Sequence, residues 1–211
     1  MHRRYLVAVA ALLVAGSLCA AVGQDLPAPE MGGRPLMDVL RDRRSGREFS
    51  NRSLSPQELS NLLWAAFGIN RPESGKRTAP SALNWQEIDV YVTTADGLFR
   101  YEAKGHSLEP IHDRDIRALT GRQAFPAEAG LNLVYVADHA EVGADMDPAE
   151  RRQLSALDTG FIAQNVYLYC ASAGLVTVAR AYVDREALAE AMELEDTQWI
   201  VLAQTVGYPA E

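Results

Sequence analysis

Three arginines and a serine fall within five residues at Arg43-Arg44-Ser45-Gly46-Arg47. A phosphate dianion calls for fork-shaped cationic donors and a hydroxyl, and a glycine lets the backbone come close. The same cluster also reads as a solvated basic patch. A second segment, Thr78-Ala79-Pro80-Ser81-Ala82-Leu83-Asn84-Trp85-Gln86, places hydroxyl and amide side chains ahead of a strand. Such a loop could grip the edge of a planar heterocycle, or its polar residues could serve local turns. A third segment sets Gln164 and Asn165 inside an otherwise apolar helical run. Burying an amide without a partner costs about 1–3 kcal/mol, so each must satisfy a neighbouring loop, a ligand or a second subunit.

Other chemistries find little support. The four histidines show no metal-binding spacing, so no metal site is expected. The two cysteines, Cys19 and Cys170, form no C-x-x-C pair. The chain has 28 acidic and 20 basic residues and a net charge of −8, which disfavours a nucleic-acid partner. With 211 residues, 48% of them hydrophobic and 23% charged, it reads as one globular domain with an extension.

The elements that must position these residues can be read from spacing. Leu36 begins a short helix. Ser55-Pro56-Gln57-Glu58 forms a capping box with proline at the first helical position, and Leu59, Leu62, Leu63, Ala66 and Phe67 follow at helical spacing up to Gly68. Residues 70–86 read as loop. Ile88 to Thr94 and Leu98 to Glu102 read as a hairpin around Ala95-Asp96-Gly97. A short helix is expected from Asp113 to Leu119. A strand is expected from Leu131 to Ala137, then a long helix from Pro148 to Ala173, stopped by Gly174. Its second half, Phe161 to Ala173, is apolar on nearly every face and is expected to be buried. Val176 to Ala179 forms a strand, Asp184 caps a helix reaching Met192, and Trp199 to Val206 is the last strand. Hairpins and helices without regular βαβ alternation indicate an α+β fold.

The first 23 residues read as a signal peptide: His2-Arg3-Arg4-Tyr5, an apolar run of about a dozen residues, then small residues with cleavage near Gly23. Arg3-Arg4-Tyr5-Leu6-Val7 fits the twin-arginine pattern, and a general secretory signal is the alternative. Leu18 is too bulky for a lipobox before Cys19, and no stable membrane insertion is expected after cleavage. With Cys19 removed, Cys170 has no intramolecular partner. Residues 24–35 read as a tether and 36–211 as the domain. The expected location is periplasmic or secreted.

Taken in register, these segments resemble the FMN-dependent nitroreductase family, in its branch of SagB-type dehydrogenases, the azoline-oxidising enzymes of peptide maturation. The resemblance runs from Leu36 to Pro209. It rests on R-R-S-x-R-x-F at 43–49, the S-P-x-E-L helix at 55–68 and P-S-x-x-N-x-Q at 80–86. The rest lies in I-D-V-Y-V at 88–92, G-L-F-R-Y at 97–101, G-R-Q-A-F at 121–125, Q-N-V-Y-L…A-G-L at 164–175 and V-G-Y-P at 206–209.

The resemblance implies a mixed β-sheet flanked by helices, with FMN at a homodimer interface. It assigns the phosphate to Arg43, Arg44, Ser45 and Arg47, and the isoalloxazine to Pro80, Ser81, Ala82 and Asn84, with Gln164 as a further cofactor contact. It implies no obligatory side-chain acid or base, so no catalytic residue is assigned. Many relatives carry Glu-Gly near the flavin N5, where this chain has Val178-Ala179-Arg180-Ala181-Tyr182. No basic residue follows Pro209, which places phosphate neutralisation on 43–47. The expected function is an exported FMN-dependent oxidoreductase, acting by hydride transfer on a small molecule or peptide. Its alternative is a non-catalytic flavin-binding or structural dimer, and a flavin-free partner-binding module is the third reading.

Overall fold

A computed structural model describes residues 23–140 and 142–210. The signal peptide expected over 1–23 lies, apart from Gly23, outside the described residues. In chain order the elements are β1 (Gln24–Asp25), α1 (Leu36–Asp42), α2 (Pro56–Phe67), β2 (Ile69–Arg71), β3 (Lys76–Arg77), β4 (Ile88–Thr94), β5 (Gly97–Glu102) and β6 (Ser107–His112). There follow α3 (Phe125–Glu128), β7 (Leu131–Asp138), α4 (Pro148–Ala173), β8 (Val176–Arg180), α5 (Arg185–Ala191) and β9 (Gln198–Gly207). Short 3₁₀ turns occupy Ala82–Asn84 and Arg117–Thr120.

Seven strands form one sheet in the order β1-β6-β5-β4-β7-β9-β8, and β2 pairs with β3 apart from it. Every neighbouring pair in the large sheet is antiparallel. The α+β class therefore holds, while the expected mixed sheet is antiparallel in each of its pairings. The reason lies in the connections. β4, β5 and β6 follow one another through short turns. α4 carries the chain from β7 to β8, which run in the same direction, and β9 inserts between them.

Alternation along the strands divides the core between two faces. Val90 and Val92 of β4, with Leu133 and Tyr135 of β7, meet Leu62, Leu63 and Phe67 of α2 and Ile162 and Val166 of α4. Tyr91, Val134, Val136 and Ile200 point the other way, onto Leu188 of α5 and Met192. This is the period-2 split of a sheet covered on both sides.

The helix ends follow local chemistry. At α2, Ser55 Oγ accepts from Glu58 N at 3.2 Å, and Ser55 N donates to Glu58 Oε2 at 2.8 Å, the capping box expected. Asp147 caps α4 through Ala149 N at 2.8 Å, and Gly174 closes it at φ 73°, the left-handed region that favours glycine.

Four expectations need correction. The tether at 24–35 begins as β1 on the sheet edge and buries Leu26, because Gln24 and Asp25 find backbone partners on β6. The 70–86 loop contains the β2–β3 hairpin and a 3₁₀ turn. The helix expected over 113–119 is only the turn Arg117–Thr120. No strand is expected over Ser107–His112, yet β6 forms there; most of its outer edge is free, so the missing N–H of Pro110 is tolerated.

Candidate functional site

α1 ends at Asp42, and Arg43 leaves it in extended geometry at φ −56° and ψ 124°. The arginine segment is therefore not helical, and Arg43 and Arg47 are not related by a helical turn. It runs instead beside β8, where Gly46 N donates to Thr177 O at 3.1 Å. A Cβ at Gly46 would lie 2.5 Å from Val176 Cγ1, so the close approach needs glycine.

This segment lines a cleft of about 950 Å³ through Arg43, Arg44, Gly46 and Arg47, together with Tyr167, Gly174 and Thr177 beside it. Among the described residues, Arg43, Arg44 and Arg47 have no ion-pair partner; the nearby Asp42 is held by Arg34 and Arg41. Their charge is left for something in the cleft.

Tyr167 of α4 organises the wall and was not foreseen; a tyrosine in an apolar helix gives no signal of its own. Its ring lies 5.2 Å from the Arg43 guanidinium carbon. Its hydroxyl accepts from Ala179 N at 2.9 Å and lies 2.9 Å from Ser45 Oγ. With Ala179 donating to it, the tyrosine has a proton to give Ser45, and the serine proton is then available to an anion. Unpaired arginines, a serine hydroxyl that can donate while Tyr167 donates to it, and a glycine approach fit a phosphate.

The second cluster is the 80–86 loop. Ser81 Oγ accepts from Gln86 N at 3.0 Å, and Asn84 Oδ1 accepts from Gln86 Nε2 at 3.2 Å. Ala82 N donates to Asp158 Oδ2 of α4 at 2.8 Å. Leu83, Asn84 and Gln86 all have positive φ, at 50°, 57° and 55°. Three non-glycine residues in the left-handed region mark a segment held by its surroundings. Pro80 is exposed and Leu83 is 78% exposed, so the loop presents its outer side freely. Its exposed edge and the free amide nitrogen of Asn84 suit a flat, polar-edged ring.

Gln164 does not take the buried place expected. It is exposed, on the face of α4 that also leaves Leu157 55% and Phe161 50% exposed. Only the neighbouring face packs on α2, where Asn165 Nδ2 reaches Ala66 O at 3.5 Å. The second half of α4 is accordingly not buried all round in one chain.

In the 178–182 stretch, Arg180 turns inward, 6% exposed and with no carboxylate partner among the described residues. It donates to Thr120 O, Asn132 Oδ1 at 3.0 Å and Thr205 Oγ1 at 2.8 Å. Burial pushes the guanidinium pKa down to about 10. Among the described residues no group of His, Cys, Asp and Glu is placed to hold a metal, and no helix is long and apolar enough to cross a membrane.

Comparison with known proteins places this geometry. Residues 40–208 match the profile of the Nitroreductase family. A nitroreductase homologue of Methanocaldococcus jannaschii is 33% identical over 173 residues, 77% of this chain and 86% of that protein. The crystal structure of a nitroreductase homologue from Ralstonia eutropha superposes with a TM-score of 0.85 at 43% identity, over 96% of this chain and 97% of the other. The fold is also shared, at TM-score 0.69 and 19% identity, with a chain of the Escherichia coli microcin synthetase complex solved with a truncated precursor bound; the match covers 99% of this chain and 85% of that one.

Proposed function

This chain belongs to the nitroreductase family, and from that premise we propose that it is an FMN-dependent oxidoreductase, exported and active as a homodimer. The observation that carries the reading is the cleft wall of Arg43, Arg44 and Arg47, cationic and unpaired beside the Gly46 approach. Bound FMN would supply hydride transfer at its N5. The chain's own residues bind and orient. The three arginines neutralise the phosphate, and Ser45, with its hydroxyl oriented by Tyr167, donates to it. Pro80, Ser81, Ala82 and Asn84 offer a preformed edge to the ring. No side chain is assigned as acid or base.

Asp158 beneath the loop and Tyr167 beneath the arginines stand nine residues apart on α4, about 13 Å along its axis. A second copy packed on Leu157, Phe161 and Gln164 would cover this exposed apolar face between the two clusters.

For substrate we propose a small molecule or peptide, with SagB-type dehydrogenation the favoured reaction; the residue resemblance supports this. Export through a folded-protein route suits a cofactor made in the cytoplasm. Exchanging Arg3-Arg4 for Lys-Lys should then hold flavin-loaded protein in the cytoplasm, read by fractionation; unchanged export of loaded protein overturns that route.

Protein purified from its native compartment should be yellow, release FMN, and be reduced by dithionite and reoxidised by an acceptor. Colourless protein that binds no added FMN overturns the reading. The inward Arg180, in the stretch where the family resemblance implies Glu-Gly in many members, favours a second reading, a flavin-binding dimer without turnover; bound FMN that dithionite reduces but no acceptor reoxidises would establish it.

A further inference from the structure

Beneath the 80–86 loop lies a polar group that flavin binding does not use. Glu87, 6% exposed, leads from the loop into β4. No donor of ordinary hydrogen-bond geometry reaches either of its carboxyl oxygens among the described residues. Two residues of α4 stand against it, Asp158, 3% exposed, and the fully buried Ser155. Asp158 accepts from Ala82 N at 2.8 Å. Ser155 Oγ shares a 2.9 Å hydrogen bond with His139 Nε2, just past β7.

None of the surrounding charges pairs with either carboxyl among the described residues. Arg151 donates from Nη1 to Val142 O at 3.4 Å and leaves its buried Nε without a partner there, and Arg152 lies 5.8 Å from the Trp199 ring. Asp138 accepts from Thr197 Oγ1 at 3.2 Å and Gln198 Nε2 at 3.3 Å. Neither Glu87 nor Asp158 forms an ion pair among the described residues.

Two buried carboxyls side by side, without a cation, cannot both be charged cheaply. Burial raises both pKa values; for Glu87 it outweighs the lowering by its own backbone N–H and by Ser155, and the Asp158 charge adds to the rise. The Ala82 N–H favours charge on Asp158, so the shared proton belongs on Glu87. The neutral Glu87 carboxyl then has a proton to donate and one adjacent charged acceptor.

Resting on the flavin reading for the loop's role, we propose that Glu87 is a positioning residue: protonated, it donates to Asp158, which holds the loop through Ala82 N–H. The device works below the raised pKa of Glu87. As pH rises through the raised value for Glu87, two like charges face each other, Asp158 is pulled from Ala82, and the left-handed stretch 83–86 is free to relax.

The test has a flavin-free arm and a flavin arm. In the flavin-free chain, the Ala82 amide resonance and the hydrogen exchange of peptide 80–86, corrected for intrinsic base catalysis, are followed from below to above the Glu87 titration. Protection should fall with pH in the wild type. Glu87→Gln, a neutral donor at every pH, should keep the protection the wild type shows with Glu87 protonated and flatten the profile; Glu87→Leu should lose protection throughout. FMN titrated by fluorescence quenching should bind the wild type up to about tenfold more weakly per pH unit once Glu87 ionises, and Glu87→Gln with little pH dependence. A wild-type pH profile in Glu87→Gln overturns the proposal. Should the variants fail to fold, ¹³C-carboxyl titration of the wild type still decides: an ordinary carboxylate pKa for Glu87 overturns it. The expected loop behaviour with no FMN bound at any pH supports the Glu87 device and overturns the flavin reading instead.

Discussion

Arg47 has no carboxylate partner among the described residues and lines a cleft with Arg43 and Arg44, equally unpaired there, and Arg41, which is held by Asp38 and Asp42. Arg47→Ala should weaken FMN about 10- to 150-fold, the worth of a charge-assisted hydrogen bond. Riboflavin, which lacks the phosphate, should lose far less. Titrating both flavins checks this; equal small losses would place the phosphate elsewhere. The arginines were legible because composition and spacing announce them. Tyr167, Glu87 and Asp158 were not, because their roles arise only where α4 crosses the loop and the arginine segment. The expected burial of Gln164 fails for a related reason: a helix's apolar count does not reveal which face its own chain leaves uncovered.

Helix signals survived folding well because they are local. The Ser55–Glu58 box sits where the sequence placed it, and Tyr208 reinforces it by donating to Glu58 Oε2 at 2.6 Å. Ser55→Ala should cost about 0.5–2 kcal/mol, read as a lowered midpoint in urea with unchanged slope. β6 and β1 were illegible because pairing across the sheet, not propensity, makes them strands. The arm that carries β1 is clasped from below. Ser60 Oγ donates to Pro27 O at 2.5 Å and lies 2.7 Å from His106 Nε2, while His106 Nδ1 lies 2.8 Å from the Tyr101 hydroxyl. With the serine proton given to Pro27, His106 donates from Nε2 and accepts from Tyr101 at Nδ1, so its neutral form is the one used. Burial accordingly lowers its pKa. The unfolded chain takes up the proton first, so this clasp is intact above the ordinary histidine value and is lost as pH falls below it. Hydrogen exchange of residues 24–28 should rise between pH 7 and 5 beyond its intrinsic change. His106 has φ 51°, which asparagine tolerates, so His106→Asn should keep the backbone and remove most of that acid sensitivity. An undiminished response in the variant would move the cause to another group.

For the whole molecule, the exposed Leu157 and Phe161 on α4, with Leu83 beside the ring-edge loop, describe a surface one chain does not finish. Light scattering at micromolar concentration should give twice the chain mass, and Phe161→Glu should shift it toward the monomer with loss of FMN. A flavin-loaded wild-type monomer would count against the dimer. The α+β class was legible in the order of hairpins and helices, whereas strand order was not, since β9 enters between β7 and β8 from far along the chain. The two margins of that sheet carry a consequence for self-association. At one, β1 pairs with Ser107 and Leu108, and Pro110 further along offers no N–H to a newcomer. At the other, Gly46 and Tyr167 engage the backbone of Thr177 and Ala179 on β8. Both margins are thus blunted against strand addition, so copies can meet through helix faces without inviting open-ended β-stacking. Trimming the chain past Leu26 would bare one margin, and the first symptom would be aggregation rather than loss of the cleft.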